Sequence, residues 1–473
     1  MKNADAIWSF VDRHAAPLIR LSDSVWEVPE LNYGEFKSCA LHTKALEDEG
    51  FRVTRNVGGL PTAVMGEAGE GGPVIAFLGE YDALPNLSNA AGVMEHEPLP
   101  GNGNGHACGH NLLGSAALLA ATAVKNWLAE TGQPGRVRYY GCPAEEGGAG
   151  KSFMVRAGVF DDVDAAVSWH PTCFAGVFPP TSLANIRMDF TFHGKAAHAA
   201  AAPFLGRSAL DAAELLNVGV NYLREHMLPT SRIHYAYLDA GGTAPNVVQS
   251  KTVIRYTVRA LELGDMLELA ERVRKVARGA AMMTETTVEE QIVSSMANLL
   301  TCPPLEQAMQ ANLERLGPPI FDNADRAFAR EMQKTFPPGD IISAFRHVGL
   351  QPRPDTPLCD FILPFSDTRA SIGSTDVGDV SWTVPTVQAF GATCAIGTQL
   401  HSWQMTAQGK SSVAHKGMVH VAKVMAATAV DLLSDEALLL RAKKDHADRL
   451  AVTPYVSSIP PEVGPALQEP EAA

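Results

Sequence analysis

Apolar positions recur at three- and four-residue spacing over residues 3–28 and 35–50, the mark of amphipathic helices. The pattern then switches. Residues 73–79 (PVIAFLG) form an unbroken apolar run ending in Glu80-Tyr81-Asp82, and residues 137–142 (VRYYGC) and 164–169 (DAAVSW) repeat it. Between the first two runs lie a Gly/Asn-rich loop (GNGNGHACGHN) and a long Ala/Leu segment, Leu112 to Leu128. Its Ser115, Thr122, Lys125 and Asn126 leave it short of a membrane span, so a buried core helix is expected. Short apolar strands alternating with helices predict an α/β fold with a mostly parallel sheet covered by helices on both faces. In such sheets functional side chains collect at the carboxyl ends of the strands. Those ends carry Asp82, Glu145, Glu146 and His170.

The pattern changes again after Pro179-Pro180. Residues 185–194 alternate as a strand and 208–227 are helical. Residues 232–240 and 251–261 read as strands, 264–283 as an amphipathic helix and 286–294 as a closing strand. The order β-α-β-β-α-β is that of a small ferredoxin-like domain. Beyond residue 300 the α/β pattern returns, with a strand at 386–396 and a closing helix at 415–433. The simplest account is a compact domain at 184–298 inserted into a larger domain made of residues 1–183 and 299–473. The tail from Pro454, rich in Pro, Ser and Glu, is expected to be loose.

At 473 residues the chain exceeds what one core organises, in keeping with two domains. Apolar residues at 46% and charged residues at 19% are ordinary for a globular protein. Lys and Arg number 38 against 52 Asp and Glu, a net charge of −14. That balance offers no footprint for nucleic acid or an anionic membrane, so an anionic substrate must be met by a local basic pocket. Seven scattered cysteines without a C-x-x-C pair read as reduced thiols. The first twenty residues carry Asp, Arg and His where a signal peptide would be apolar, and a cytoplasmic location is expected.

Two nucleotide-binding decoys fail. Gly147 to Ser152 (GGAGKS) resembles a phosphate loop, but the position of its first glycine is Glu145. Gly103 to Cys108 places a cysteine where a dinucleotide fingerprint needs its third glycine. The stronger signal is His106-Ala107-Cys108-Gly109-His110 together with Glu145-Glu146, His170 and His401. Thiolate, imidazole and carboxylate are the donors that hold Zn²⁺ or Mn²⁺, and adjacent glutamates let one bind metal while the other handles protons. Taken singly, a buried His or Cys is more often a packing residue. Arg255 and Arg259, on one strand of the insertion, are candidates for a substrate carboxylate.

The stretches HACGHNLLG, GCPAEEGGAGK, SWHP, GKAAHAA and GGTAPNVV resemble the M20 family of metal-dependent peptidases and amidohydrolases. GEYDALP, GRSALDAAELLNVGVNYLREH, STDVGDVSW and HSWQ are most similar to its aminobenzoyl-glutamate hydrolase (B-subunit) branch; the likeness runs from about Trp26 to Leu433. The resemblance implies Cys108, His110, Glu146, His170 and His401 as ligands of one or two divalent ions. It implies Glu145 as general base and Asp82 as the carboxylate that orients a ligand. The insertion would be a lid and dimerisation domain. From it His198 would stabilise the oxyanion, reaching across from a partner protomer, and Asn246 would contact substrate. Asp376 is either a substrate contact, as the resemblance implies, or a turn cap. Three departures bear on the metal. Glu80-Tyr81-Asp82 lacks the family's His-x-Asp imidazole, Cys108 replaces a bridging carboxylate, and Asn111 follows His110 where relatives often have Asp. A thiolate favours Zn²⁺, whereas the branch suggests Mn²⁺.

The implied activity is hydrolysis of an amide joining an acyl or aryl-acyl group to an amino acid, as in p-aminobenzoyl-glutamate, or of a small dipeptide. Two alternatives stand beside it: hydrolysis of an aromatic amine C–N bond, releasing ammonia, and a non-catalytic member of a hetero-oligomer. A homodimer through the lid is the expected assembly.

Overall fold

The computed structural model describes residues 4–177, 182–353, 355–365 and 373–469; the Pro179-Pro180 break lies outside them. Among the described residues the strands are, in chain order, β1 (Arg52–Arg55), β2 (Val64–Glu70), β3 (Val74–Glu80), β4 (Gly135–Cys142), β5 (Ala165–Thr172), β6 (Gly176–Val177), β7 (Ala184–His193), β8 (Arg232–Asp239), β9 (Lys251–Ala260), β10 (Thr287–Met296) and β11 (Thr386–Ala392). Seven of them form one sheet in the order β1-β2-β4-β3-β5-β11-β6. Its centre, β4-β3-β5-β11, is parallel, while β1, β2 and β6 pair antiparallel at the two sides.

β3 sits inside this sheet and is buried at all seven positions, which is why its sequence is apolar throughout instead of alternating. Ile75 and Phe77 pack into a layer with the helices Ala4–Trp26, His110–Thr131 and Ser412–Ser434. Val74, Ala76 and Leu78 face the opposite layer, which includes the helices Gly150–Arg156 and Val377–Thr383. Helices His110–Thr131 and Ser412–Ser434 are long and apolar enough to cross a bilayer by length and composition. Both are mostly buried in this fold, where they supply the core.

The second sheet, β10-β7-β9-β8, is antiparallel throughout and follows the β-α-β-β-α-β order. Ile186, Met188, Ile254, Tyr256 and Val258 point at the helices Ala209–Leu223 and Leu263–Met283 and form a core of their own with them. The alternation of strand side chains therefore turns Arg187, Arg255 and Arg259 to the helix-free face.

The tail departs from expectation, because it is pinned. Tyr455 donates to Asp379 Oδ1 at 2.6 Å, and Ile459 is buried. Arg156 donates to the carbonyls of Pro460 and Val463, and Gln468 to that of Asn32 at 2.8 Å. Composition marked the tail as polar and proline-rich; two apolar anchors and a few bonds to its backbone carbonyls hold it down.

Candidate active site

The carboxyl ends of the parallel strands build the site. β3 runs into Glu80 and Asp82, β4 into the loop holding Glu145 and Glu146, β5 carries His170, and the chain beyond β11 brings His401. Helix His110–Thr131 begins at His110 itself. Gly109 precedes it with φ +77°, and a Cβ there would lie 2.9 Å from Pro171, so this tight turn between Cys108 and His110 suits glycine alone.

Asp82 Oδ1 accepts from His110 Nδ1 at 2.8 Å, and its Oδ2 accepts the Glu146 amide at 2.9 Å. The Pro171 carbonyl accepts from His170 Nδ1 at 2.9 Å. Both bonds leave the imidazole Nε2 lone pair facing inward, the orientation a metal-ligating histidine needs. His170 Nε2 is 3.4 Å from Cys108 Sγ, His110 Nε2 is 3.3 Å from Glu80 Oε2, and His401 Nε2 is 3.3 Å from Glu146 Oε1. Cys108 thereby joins two triads, one with His110 and His170 and one with Glu146 and His401; Glu80, His110 and Glu145 make a third. In each triad the donor atoms lie within 4.8 Å of one another. His401 adopts φ +60°, a conformation uncommon outside glycine and characteristic of functional sites.

The donor set fits a divalent cation. His110 Nε2, Glu80 Oε2 and Glu146 Oε1 are buried without a hydrogen-bond partner, a costly state unless a cation gathers them. Burial works against charge on His110, yet Cys108 and Asp82 raise its affinity for a proton well above the ordinary value. Burial, followed by Glu146, pushes the Cys108 thiol well up, so a cation at Sγ is needed to hold it as thiolate. The two adjacent glutamates diverge. Burial and then Glu80, Glu146 and Asp376 raise Glu145 well above the carboxylate range. Burial also pushes Glu146 up, but the nearby His401 and His110 together bring it below its ordinary value. Carboxylates driven apart in this way divide into proton carrier and ligand.

Behind this centre lie residues that motif reading missed. Lys151 is fully buried; its Nζ donates to Glu80 Oε1 at 2.5 Å and to Asp376 Oδ1 at 2.6 Å, and its amide to Asp376 Oδ2 at 2.8 Å. Asp376, expected at the substrate or as a turn cap, is instead fully buried with both oxygens engaged by Lys151. Glu35 Oε1 accepts the amides of Tyr33 and Ala144, and the Tyr33 hydroxyl donates to the Gly148 carbonyl at 2.7 Å. Tyr33 and Ala144 have φ of 59° and 60°, so one carboxylate braces two strained residues beside the Glu145-Glu146 loop.

Among the described residues, the insertion's candidate residues make no bond to the metal donors. His198 and Asn246 are exposed and adjoin one another through the bond from the Ala199 amide to the Asn246 carbonyl. His198 Nδ1 accepts from the amides of Ala200 and Ala201, leaving Nε2 as the protonated nitrogen. Arg255 is occupied by a two-bond pair with Asp189, at 2.7 and 2.8 Å. Arg259 donates to Ser374 Oγ at 3.2 Å, and its Nε is buried without a partner.

Converging N, S and O donors at the edge of a parallel sheet, with a proton-retaining carboxylate beside them, define a metal-assisted hydrolase acting on amide C–N bonds. Residues 76–340 match the model of peptidase family M20/M25/M40, and the chain belongs to this family. It is 46% identical over 458 residues to the B subunit of p-aminobenzoyl-glutamate hydrolase from Escherichia coli (strain K12), covering 94% of this chain and 95% of that one. It is 30% identical to the Xaa-Arg dipeptidase of Mus musculus, covering 93% of this chain and 91% of the relative. Among solved structures it shares its fold with a dinuclear metal binding peptidase from the M20 family of Bacillus subtilis. There the TM-score is 0.56 at 20% identity, over 88% of this chain and 98% of that one.

Proposed function

We propose that the chain hydrolyses the amide of an N-aryl-acyl or N-acyl amino acid, with p-aminobenzoyl-glutamate as the leading substrate and small dipeptides behind it. The observation that carries this reading is the pairing of Glu145, its proton affinity raised, with the donor triads around Cys108. The 46% identical relative from E. coli supports the substrate type. Cys108, His110, Glu146, His170 and His401 would hold one or two ions of Mn²⁺ or Zn²⁺, with Glu80 close by. When bound, the cation supplies Lewis-acid polarisation of the scissile carbonyl and a more acidic water. Glu145 takes the proton of the attacking water and returns it to the departing nitrogen as the C–N bond breaks. Asp82 and the Pro171 carbonyl keep His110 and His170 aimed, and Arg259 receives a substrate carboxylate. His198 offers an Nε2–H to the developing oxyanion, and Asn246 lies beside it for substrate contact.

Among the described residues no bond joins His198 or Asn246 to a metal donor, which supports a homodimer in which the partner's lid completes the site. β8 is an edge strand with Tyr235, Tyr237 and Leu238 exposed, a surface suited to pairing with a second copy. A hetero-oligomer is the alternative, because the A subunit of the E. coli p-aminobenzoyl-glutamate hydrolase is also a relative, 31% identical over 240 residues. Seven free cysteines support a reducing, cytoplasmic location.

Chromatography of products from Mn²⁺- or Zn²⁺-loaded protein and p-aminobenzoyl-glutamate tests the reading. Release of glutamate and p-aminobenzoate, abolished by a chelator and restored by metal, is expected. Ammonia in place of glutamate would move the activity to aromatic amine C–N bonds.

A further inference from the structure

The chain carries a net charge of −14, yet the helix-free face of its second sheet is cationic. In the register of β7 with β9, Asp189 faces Arg255, Arg187 faces Thr257, and Asn185 faces Arg259. Across β9, β8 adds Arg232 opposite Arg259 and His234 opposite Thr257. Asp189 neutralises Arg255. Asp189 also attracts Arg187, but among the described residues neither Arg187 nor Arg259 forms an ion pair, and the Arg187 side chain makes no hydrogen bond.

Both arginines touch the main domain. Arg187 Nη1 lies 3.4 Å from where a Cβ on Gly147 would stand, directly beside the Glu145-Glu146 loop. Arg259 reaches Ser374 of the main domain. Both are half-buried, and burial lowers the proton affinity of each; on Arg187 the charges of Arg255 and Arg259 add to the effect and Asp189 opposes it. Two desolvated like charges whose neighbouring carboxylate, Asp189, is already paired with Arg255 are better satisfied once an anion enters.

We propose that Arg187 and Arg259 together form a two-carboxylate site that selects amides of dicarboxylic amino acids, with Arg187 meeting the side-chain carboxylate. The assignment rests on the amide-hydrolase reading above and names what sets its selectivity. Arg259 is held by Ser374 and suits the α-carboxylate that every amino acid carries. Arg187 is untethered and suits the group that varies. Each guanidinium can grip a carboxylate through two parallel N–H···O bonds, which a lysine cannot reproduce.

The test compares kcat/KM for p-aminobenzoyl-glutamate and p-aminobenzoyl-alanine in wild type, Arg187→Gln and Arg187→Lys. The glutamate-to-alanine ratio should fall about 10- to 100-fold in Arg187→Gln, chiefly through KM, with a smaller fall in Arg187→Lys. An unchanged ratio, whether both substrates slow or neither does, overturns the proposal. Thermal shift by glutarate and butyrate gives a readout without turnover: glutarate should stabilise wild type more than Arg187→Gln, and butyrate should not separate them. If wild type cleaves neither amide, the amide-hydrolase reading fails, and equal glutarate shifts in both proteins would overturn the arginine site as well. Matching melting temperatures without ligand confirm that the variants fold.

Discussion

The strand-end cluster of the main sheet, the floor of the site, and the arginine-bearing face of the second sheet, its roof, handle charge in opposite ways. On the floor, Lys151 is sealed between Glu80 and Asp376, and Asp82 spends one oxygen on His110 and the other on the Glu146 amide. On the roof, neither Arg187 nor Arg259 is ion-paired among the described residues, and Asp189 beside Arg187 is paired with Arg255. The floor is a self-consistent scaffold whose unpaired atoms, His110 Nε2, Glu80 Oε2 and Glu146 Oε1, converge on the place of a cation. The roof is complementary to something the chain does not itself supply. Internal pairing marks residues that build the site, and its absence marks residues that meet the substrate.

Breaking the floor's pairing should have the largest effect. Lys151→Ala leaves Glu80 and Asp376 buried without their cation and should cost about 3–5 kcal/mol, read as a lowered midpoint in denaturant unfolding. Asp82→Asn removes the charge that orients His110 and should weaken metal affinity about 10- to 100-fold, measured by competition with a chromophoric chelator.

A subtler effect follows from Glu35, which burial, reinforced by Asp82, raises from the usual 4.5 to about 8. A raised carboxyl binds its proton more tightly in the folded state than in the unfolded chain. Its contribution is therefore full below the ordinary value and is lost as pH climbs towards 8. Glu35→Gln keeps an acceptor for Ala144 but escapes that loss, so its melting temperature relative to wild type should rise between pH 5 and pH 9. A difference that stays flat with pH would count against a protonated Glu35. The smallest effect belongs to the roof: Arg187→Gln should change stability by no more than about 0.5 kcal/mol, because among the described residues its side chain makes no hydrogen bond or ion pair. A large loss there would erase the contrast between the two surfaces.

How much of this was legible in sequence depended on how local each signal was. The runs at β3, β4 and β5 announced a parallel sheet because strands buried on both faces read as continuous apolar stretches. Asp82, Glu145, Glu146 and His170 stood out because strand ends are where such sheets gather function, and Cys108 and His110 because the HACGH stretch sets thiol and imidazole two residues apart. Glu80 escaped notice because the signal at that strand end was the lack of an imidazole, which hides a carboxylate two residues before Asp82. Lys151 stood out only as part of a phosphate-loop decoy, and its partner Asp376 lies 225 residues away. Arg187 stands in a strand whose period-2 alternation was plain, but which face held it beside Arg259 depends on the pairing of β7 with β9, which a single chain does not reveal. The tail shows the converse: polar composition suggested looseness, and Tyr455 and Ile459 decided otherwise.

The most direct test of the account measures metal content and p-aminobenzoyl-glutamate turnover side by side in wild type and Glu145→Ala. The account predicts equal metal in both proteins, glutamate release by wild type, and a loss of roughly 100-fold or more in the variant. Turnover in Glu145→Ala at the wild-type rate, with metal bound, would contradict it.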